Sequence, residues 1–144
     1  MSAFVDTWAW VGSFDRRDTY HERAKHAVLD CLRNKIRLVT TDYVLCETIT
    51  LLFRKATIGD KSQVVKDLLA FFNVWEVVIE PVTSPRFAKA LDSRFRYEDK
   101  PEISFTDLTS MVVMQELGIT DILTADRHFE KVNLGFRLVP AGLG

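Results

Sequence analysis

The chain has 144 residues, 47% of them hydrophobic and 27% charged, with a net charge of −1 and a pI of about 6.3. That is one domain's length with apolar content for a full core, ordinary for a soluble globule. It excludes a strongly basic binder that neutralises many phosphates, but leaves room for an enzyme that grips RNA locally through a few Lys and Arg.

Residues 2–6 read as a short buried strand closing at Asp6. Met1 to Asp6 has no basic n-region and Asp6 interrupts its apolar run, so it does not read as a signal peptide. No stretch approaches the ~20 apolar residues of a membrane span. Thr7 to Ser13, with Trp8, Trp10 and Val11, begins a helix. Asp15-Arg16-Arg17-Asp18 is a turn, and Asp18 or Thr19 is expected to cap a helix with Glu22 in its first turn. Ala24, Ala27, Val28, Cys31 and Leu32 give that helix one apolar face.

Ile36 to Thr40 is a second strand. Thr41 or Asp42 caps a helix to about Lys55, with Val44, Leu45, Thr48, Ile49 and Leu52 inward. Thr57-Ile58-Gly59-Asp60 breaks it, and a helix follows through Val64, Val65, Leu68, Leu69 and Phe72. Trp75 to Glu80, β-branched and aromatic, reads as a third strand ended by Pro81. Ser84-Pro85 opens a helix to about Tyr97, and Ser104 to Leu117 is a helix stopped by Gly118. Asp121 to Thr124 and Phe136 to Val139 complete the strands. Cys31 and Cys46 lack metal-ligand spacing, so two buried thiols in a reduced, cytoplasmic chain are expected.

Strands alternating with helices imply a parallel sheet covered on both faces, with ligands outside the carboxyl ends of the strands. Asp6 and Asp126 stand at such ends, and Asp107 heads a helix pointing back to the same edge. Glu47 lies more than a turn into its helix and converges less clearly. Crowded carboxylates repel, and oxygen donors of this hardness suit Mg²⁺ or Mn²⁺. The chemistry this favours is metal-dependent hydrolysis of a phosphodiester, in which a divalent ion lowers the pKa of a water and neutralises phosphoryl oxygens.

Phe4-Val5-Asp6-Thr7, Tyr43-Val44-Leu45-Cys46-Glu47-Thr48, Ser104-Phe105-Thr106-Asp107 and Leu123-Thr124-Ala125-Asp126-Arg127-His128-Phe129 together resemble the PIN domain. Their order and the chain length are similar to VapC-type toxins of bacterial and archaeal toxin–antitoxin pairs, down to the closing Gly135-Phe136-Arg137-Leu138-Val139-Pro140. The resemblance implies an α/β fold: a three-layer α/β/α sandwich with a mainly parallel sheet of four to five strands, as a single PIN domain over 1–144. It implies a Mg²⁺- or Mn²⁺-dependent endoribonuclease acting on structured RNA such as tRNA or ribosomal RNA. It also implies a homodimer and a small antitoxin whose tail occupies the acidic site. The acidic positions carry over onto Asp6, Glu47, Asp107 and Asp126, with Asp6 and Asp107 as the central ligands. Cys46 stands where the family commonly has a small residue.

Thr7, Ser104, Thr106 and Thr124 flank the acids and are candidates to orient them, with local helix capping as the alternative for Ser104 and Thr106. Asp6 and Asp126 have capping alternatives too, and Glu47 read alone is a solvated side chain. Arg16, Arg17, His21, Arg23 and Lys25 form a basic cluster, for which a solvated surface run is the commoner explanation and phosphate contact the alternative. His21 and His128 stay outside the catalytic set, and for Trp8, Trp10 and Phe14 core packing or a dimer interface outweighs base stacking. Residues 55–61 and 94–103 are candidates for shaping substrate choice. A housekeeping RNA-processing nuclease or a noncatalytic scaffold are alternatives within the resemblance. A phosphorylated receiver is disfavoured, since Asp6 lacks an acidic neighbour and no Lys follows Leu138-Val139.

Overall fold

Phe4, Val5, Ile122 and Leu123 are fully buried, and the two strands that carry them lie side by side in the middle of the sheet. The computed structural model describes residues 1–55 and 58–140. Its elements are β1 (Ser2–Val5), α1 (Thr7–Phe14), α2 (His21–Arg33), β2 (Arg37–Thr41), α3 (Asp42–Arg54), α4 (Lys61–Val74), β3 (Val78–Glu80), α5 (Ser84–Arg96), α6 (Phe105–Leu117), β4 (Asp121–Leu123), α7 (His128–Lys131) and β5 (Arg137–Val139).

The strand order is β3-β2-β1-β4-β5 and every pairing is parallel. The first two crossovers, β1 to β2 and β2 to β3, step in one direction across the sheet; β3 to β4 returns past β1. Right-handed crossovers therefore put the helices of the return step on the opposite face, which gives the three-layer α/β/α arrangement. The reversal falls between β1 and β4, so the crevice at their carboxyl ends is where a ligand site belongs in such a fold.

Packing fixes that edge firmly. Residues Asp107 to Met114 of α6 are all buried, so this helix has core on every side and its first turn has little freedom. Trp10 of α1 is fully buried, its ring 4.6 Å from that of Phe72, and its indole N–H donates to Thr40 Oγ1 at 3.4 Å. A Cβ on Gly12 would stand 2.8 Å from Ala24 Cβ, so α1 and α2 pack as closely as they do only because residue 12 has no side chain. Among the described residues no helix is long and apolar enough to cross a membrane.

Several local expectations need correcting. The third strand is confined to Val78–Glu80, because α4 runs on through Val74, Trp75 ends it, and Glu76 takes a left-handed φ of 51°. Tyr20, not Asp18 or Thr19, is the cap residue of α2, and no side chain caps it; Asp18 instead accepts the Tyr20 N–H at 2.8 Å and pairs with Lys55. Thr41 does cap α3, accepting from Val44 N at 3.1 Å; Leu45 and Ile49 are half-buried while Val44, Thr48 and Leu52 are buried. Both cysteines are free, but only Cys31 is buried, with a thiol that burial pushes up to about 11; Cys46 is exposed on α3. The four-residue α7 was not foreseen. Thr57 lies outside the described residues.

Candidate active site

β1 ends at Val5, and Asp6 takes the cap position of α1 with an extended backbone, φ −86° and ψ 166°. Its carboxylate makes no capping hydrogen bond. It turns instead to Thr124, whose hydroxyl donates to Asp6 Oδ2 at 2.9 Å. Asp6 is almost fully buried, and burial first, then the nearby charge of Asp107, pushes its carboxyl from 3.8 up to about 7; the Thr7 N–H and the Thr124 hydroxyl pull the other way.

Asp107 is the third residue of α6 and forms a reciprocal cap with Ser104. Its N–H donates to Ser104 Oγ at 3.0 Å, and the Ser104 N–H donates to Asp107 Oδ2 at 3.2 Å. Burial and the charge of Asp126 raise its carboxyl above the usual range, against the pull of Ser104 and His128. Asp126 follows β4 by three residues; its N–H donates to Thr124 Oγ1 at 3.0 Å, and its Oδ1 accepts the His128 N–H at 2.9 Å. Thr124 thus joins the loop after β4 to the end of β1.

Asp6, Glu47, Asp107 and Asp126 line one cleft of about 610 Å³, together with Asp18, Glu102, Thr7, Ser104, His128 and an apolar side made by Trp8, Val11, Tyr20 and Leu51. Glu47, half-buried on α3, makes no described hydrogen bond but adds to the field that raises Asp6. Within the cleft, ligand atoms of Asp107, Asp126 and His128 lie within 4.8 Å of one another. Of the flanking hydroxyls, that of Thr124 donates to the Asp6 carboxylate and that of Ser104 accepts the Asp107 N–H; Thr7 Oγ1 is buried without a partner among the described residues, and the Thr106 carbonyl accepts from Thr109.

His128 is the residue that sequence reasoning set aside. Its signal was its place two residues after Asp126, on a helix too short to show periodicity. Trp8 lines the cleft, whereas Trp10 is core. The basic cluster does not face the acids: Arg16, Arg17, His21 and Lys25 surround a separate cleft of about 580 Å³ floored by Phe14, Val28, Val64 and Phe71.

A carboxylate set of this density fits a hard divalent cation: Lys55 pairs with Asp18 and Lys131 with Glu102, but among the described residues no Lys or Arg pairs with Asp6, Glu47, Asp107 or Asp126. The PIN-domain family model matches residues 3–134. Comparison with the curated proteins finds no match. The solved structure of Mycobacterium tuberculosis VapC20, a sarcin-ricin loop cleaving toxin, superposes with a TM-score of 0.78 and 30% identity, covering 94% of this chain and 97% of that one. VapBC2 of Rickettsia felis, bound to a DNA fragment from its promoter, gives 0.70 and 16% identity over 96% and 97% of the two chains. FitAB bound to an IR36 DNA fragment gives 0.69 and 16% over 94% of each. At that identity the last two show the fold alone. With the family model spanning nearly its whole length and a VapC toxin similar over almost all of it, the chain belongs to the PIN-domain family and is VapC-like within it.

Proposed function

We propose that this protein is a metal-dependent endoribonuclease acting as the toxin of a VapBC-type pair, with structured RNA as substrate. One observation carries the reading: the carboxylates of Asp6, Glu47, Asp107 and Asp126, none paired with a described Lys or Arg, line a cleft at the sheet's topological switch point. Unneutralised, such a cleft repels a phosphodiester.

Asp6 and Asp107 are the central ligands of Mg²⁺ or Mn²⁺ in this reading, with Asp126 and Glu47 holding a second ion or ordering its waters. When bound, the ions supply an activated water and neutralise the phosphoryl oxygens. The chain's own residues do the positioning. Thr124 holds Asp6 against the loop of Asp126, and the buried first turn of α6 holds Asp107. Trp8 and Tyr20, with rings 5.9 Å apart, form the apolar side on which an RNA segment would rest.

The likeness to VapC20 makes the sarcin-ricin loop the first substrate to test. The partners in this reading are a small antitoxin and a second copy of the chain, acting in the cytoplasm. Phe87, Leu91 and Phe95, spaced four apart on α5 and all exposed, are apolar surface of the kind a second copy covers. The test is cleavage of total RNA by wild type and Asp6→Asn with Mg²⁺, Mn²⁺ or EDTA. Discrete fragments that need the ion and are absent from the variant are expected; fragments that persist in EDTA or in the variant refute the assignment.

A further inference from the structure

We propose that His128 is itself a metal ligand, so that the ion at Asp107 and Asp126 sits in a mixed nitrogen–oxygen site rather than an all-carboxylate one. The inference rests on the reading of the cleft as a divalent-metal centre and goes beyond it, because the acidic motifs alone assign no nitrogen donor.

His128 Nδ1 lies 2.9 Å from Asp126 Oδ1 and 3.5 Å from Asp107 Oδ2. The atom is sealed from solvent and, though close enough to both oxygens for each to feel it, meets neither at a good hydrogen-bonding angle. The nearer oxygen is already taken by a better-aimed donor, the backbone N–H of His128 itself, at 2.9 Å. A ring nitrogen held this close to two carboxylate oxygens, aimed at neither, is an unmet polar group of the kind that costs about 1–3 kcal/mol when buried. A shared cation resolves it: two donors bound at right angles to an ion with ~2.1 Å bonds stand about 3 Å apart. His128 Nδ1 stands 2.9 and 3.5 Å from the two oxygens, and one ligand atom of each residue lies within 4.8 Å of the other two.

The local chain produces this arrangement. Asp126 and His128 are two apart across the entry to α7, with Arg127 between them turned out to pair with Glu130. The bond from the His128 N–H to Asp126 Oδ1 folds the segment so that both side chains face Asp107. Buried Phe129 anchors α7 to the core, its ring 6.2 Å from Phe136. Chemically, an imidazole is a borderline donor that Mn²⁺ accepts more readily than Mg²⁺ does. The site should therefore prefer Mn²⁺, and His128 is what sets that preference.

The test is pulsed electron paramagnetic resonance on Mn²⁺ bound to the full chain, wild type and His128→Asn, with ¹⁵N-histidine labelling. Asparagine places an amide oxygen near the Nδ1 position, so the ion can still bind. Expected are a nitrogen coupling in wild type that changes with the label and vanishes in H128N, and a Mn²⁺-over-Mg²⁺ preference, measured by calorimetry, that falls roughly tenfold in the variant. Should H128N not fold, as judged by circular dichroism, the wild-type label experiment decides alone. Mn²⁺ bound to wild type without nitrogen coupling overturns the proposal and leaves the metal-centre reading standing. No Mn²⁺ binding to wild type at all overturns the metal-centre reading, and the proposal with it.

Discussion

Thr124 donates its hydroxyl to Asp6 Oδ2 at 2.9 Å across 118 residues of chain, while Thr124 Oγ1 accepts the Asp126 N–H at 3.0 Å. One buried threonine therefore sets the relative position of the first and last acidic motifs. Thr124→Val keeps the shape and removes the hydroxyl, leaving Asp6 and the Asp126 N–H without their partner. RNA cleavage should fall about 10- to 100-fold, the usual effect of removing a group that orients a metal ligand. Thr124→Ser should stay near wild type. Equal activity of the valine variant would show that Thr124 serves packing alone.

The raised carboxyl of Asp6 makes the metal-free protein pH-sensitive in a defined direction. Its folded value, about 7, exceeds the ordinary 3.8, so the native state favours the protonated form. The associated stability is fully present below about pH 4 and is lost as pH rises toward 7. Asp6→Asn removes this dependence. In EDTA it should be more stable than wild type at pH 8, by about 4 kcal/mol at most, and the gap should close on acidification. Mn²⁺ at pH 8 should raise the melting temperature of wild type by more than that of the variant, which keeps Asp107, Asp126 and His128 but loses one ligand. Thermal melts across pH 4 to 8 with and without the ion check both statements.

Ser104 and Asp107 separate two roles that coincide at the head of α6. Ser104→Ala removes the acceptor for the Asp107 N–H and should cost about 1 kcal/mol of stability. It leaves the carboxylate in place, so partial cleavage should persist. Asp107→Asn keeps an oxygen that can accept the Ser104 N–H, so the fold should hold while cleavage and Mn²⁺ binding are lost. Calorimetric titration with Mn²⁺ beside a thermal melt distinguishes the two. An Asp107→Asn protein that still cuts RNA would mean its carboxylate serves only the helix.

These residues show what a sequence makes legible. Asp6 and Asp126 stood out because a strand end in a parallel sheet is a geometric address, and Asp107 because a serine three residues before it signals a helix start. Glu47 had no local signal, since a mid-helix glutamate is read through its tertiary surroundings, and it rested on the family motif. His128 carries little weight in the sequence because a lone histidine is more often structural, and α7, one turn long, adds no periodic signal. Residues 75–77 have β-like propensities, but α4 runs to Val74, Trp75 caps it and Glu76 turns left-handed, so the strand starts only at Val78. Cys46 was expected inside because its neighbours are apolar; α3 turns that position outward.

Arg94 links α5 to the site without touching an acid. Its guanidinium donates to the carbonyls of Tyr97 at 2.7 Å, Lys100 at 2.8 Å and Ile103, closing the segment that delivers Ser104 and Asp107. Residues 94–103, a candidate from sequence for shaping substrate choice, are thus clamped rather than loose. A planar fork with several donors can serve three carbonyls at once; a lysine ammonium on a flexible stem cannot hold the same geometry. Arg94→Lys should therefore destabilise the fold by about 1–2 kcal/mol, and Arg94→Met by about 2–3 kcal/mol, as carbonyls lose a charged donor. Amide exchange should quicken over residues 97–104 in both variants. Cleavage should fall with it, because the first turn of α6 is then held by one end only. If exchange quickens while activity stays at the wild-type level, the clamp serves stability and the buried body of α6 alone positions Asp107.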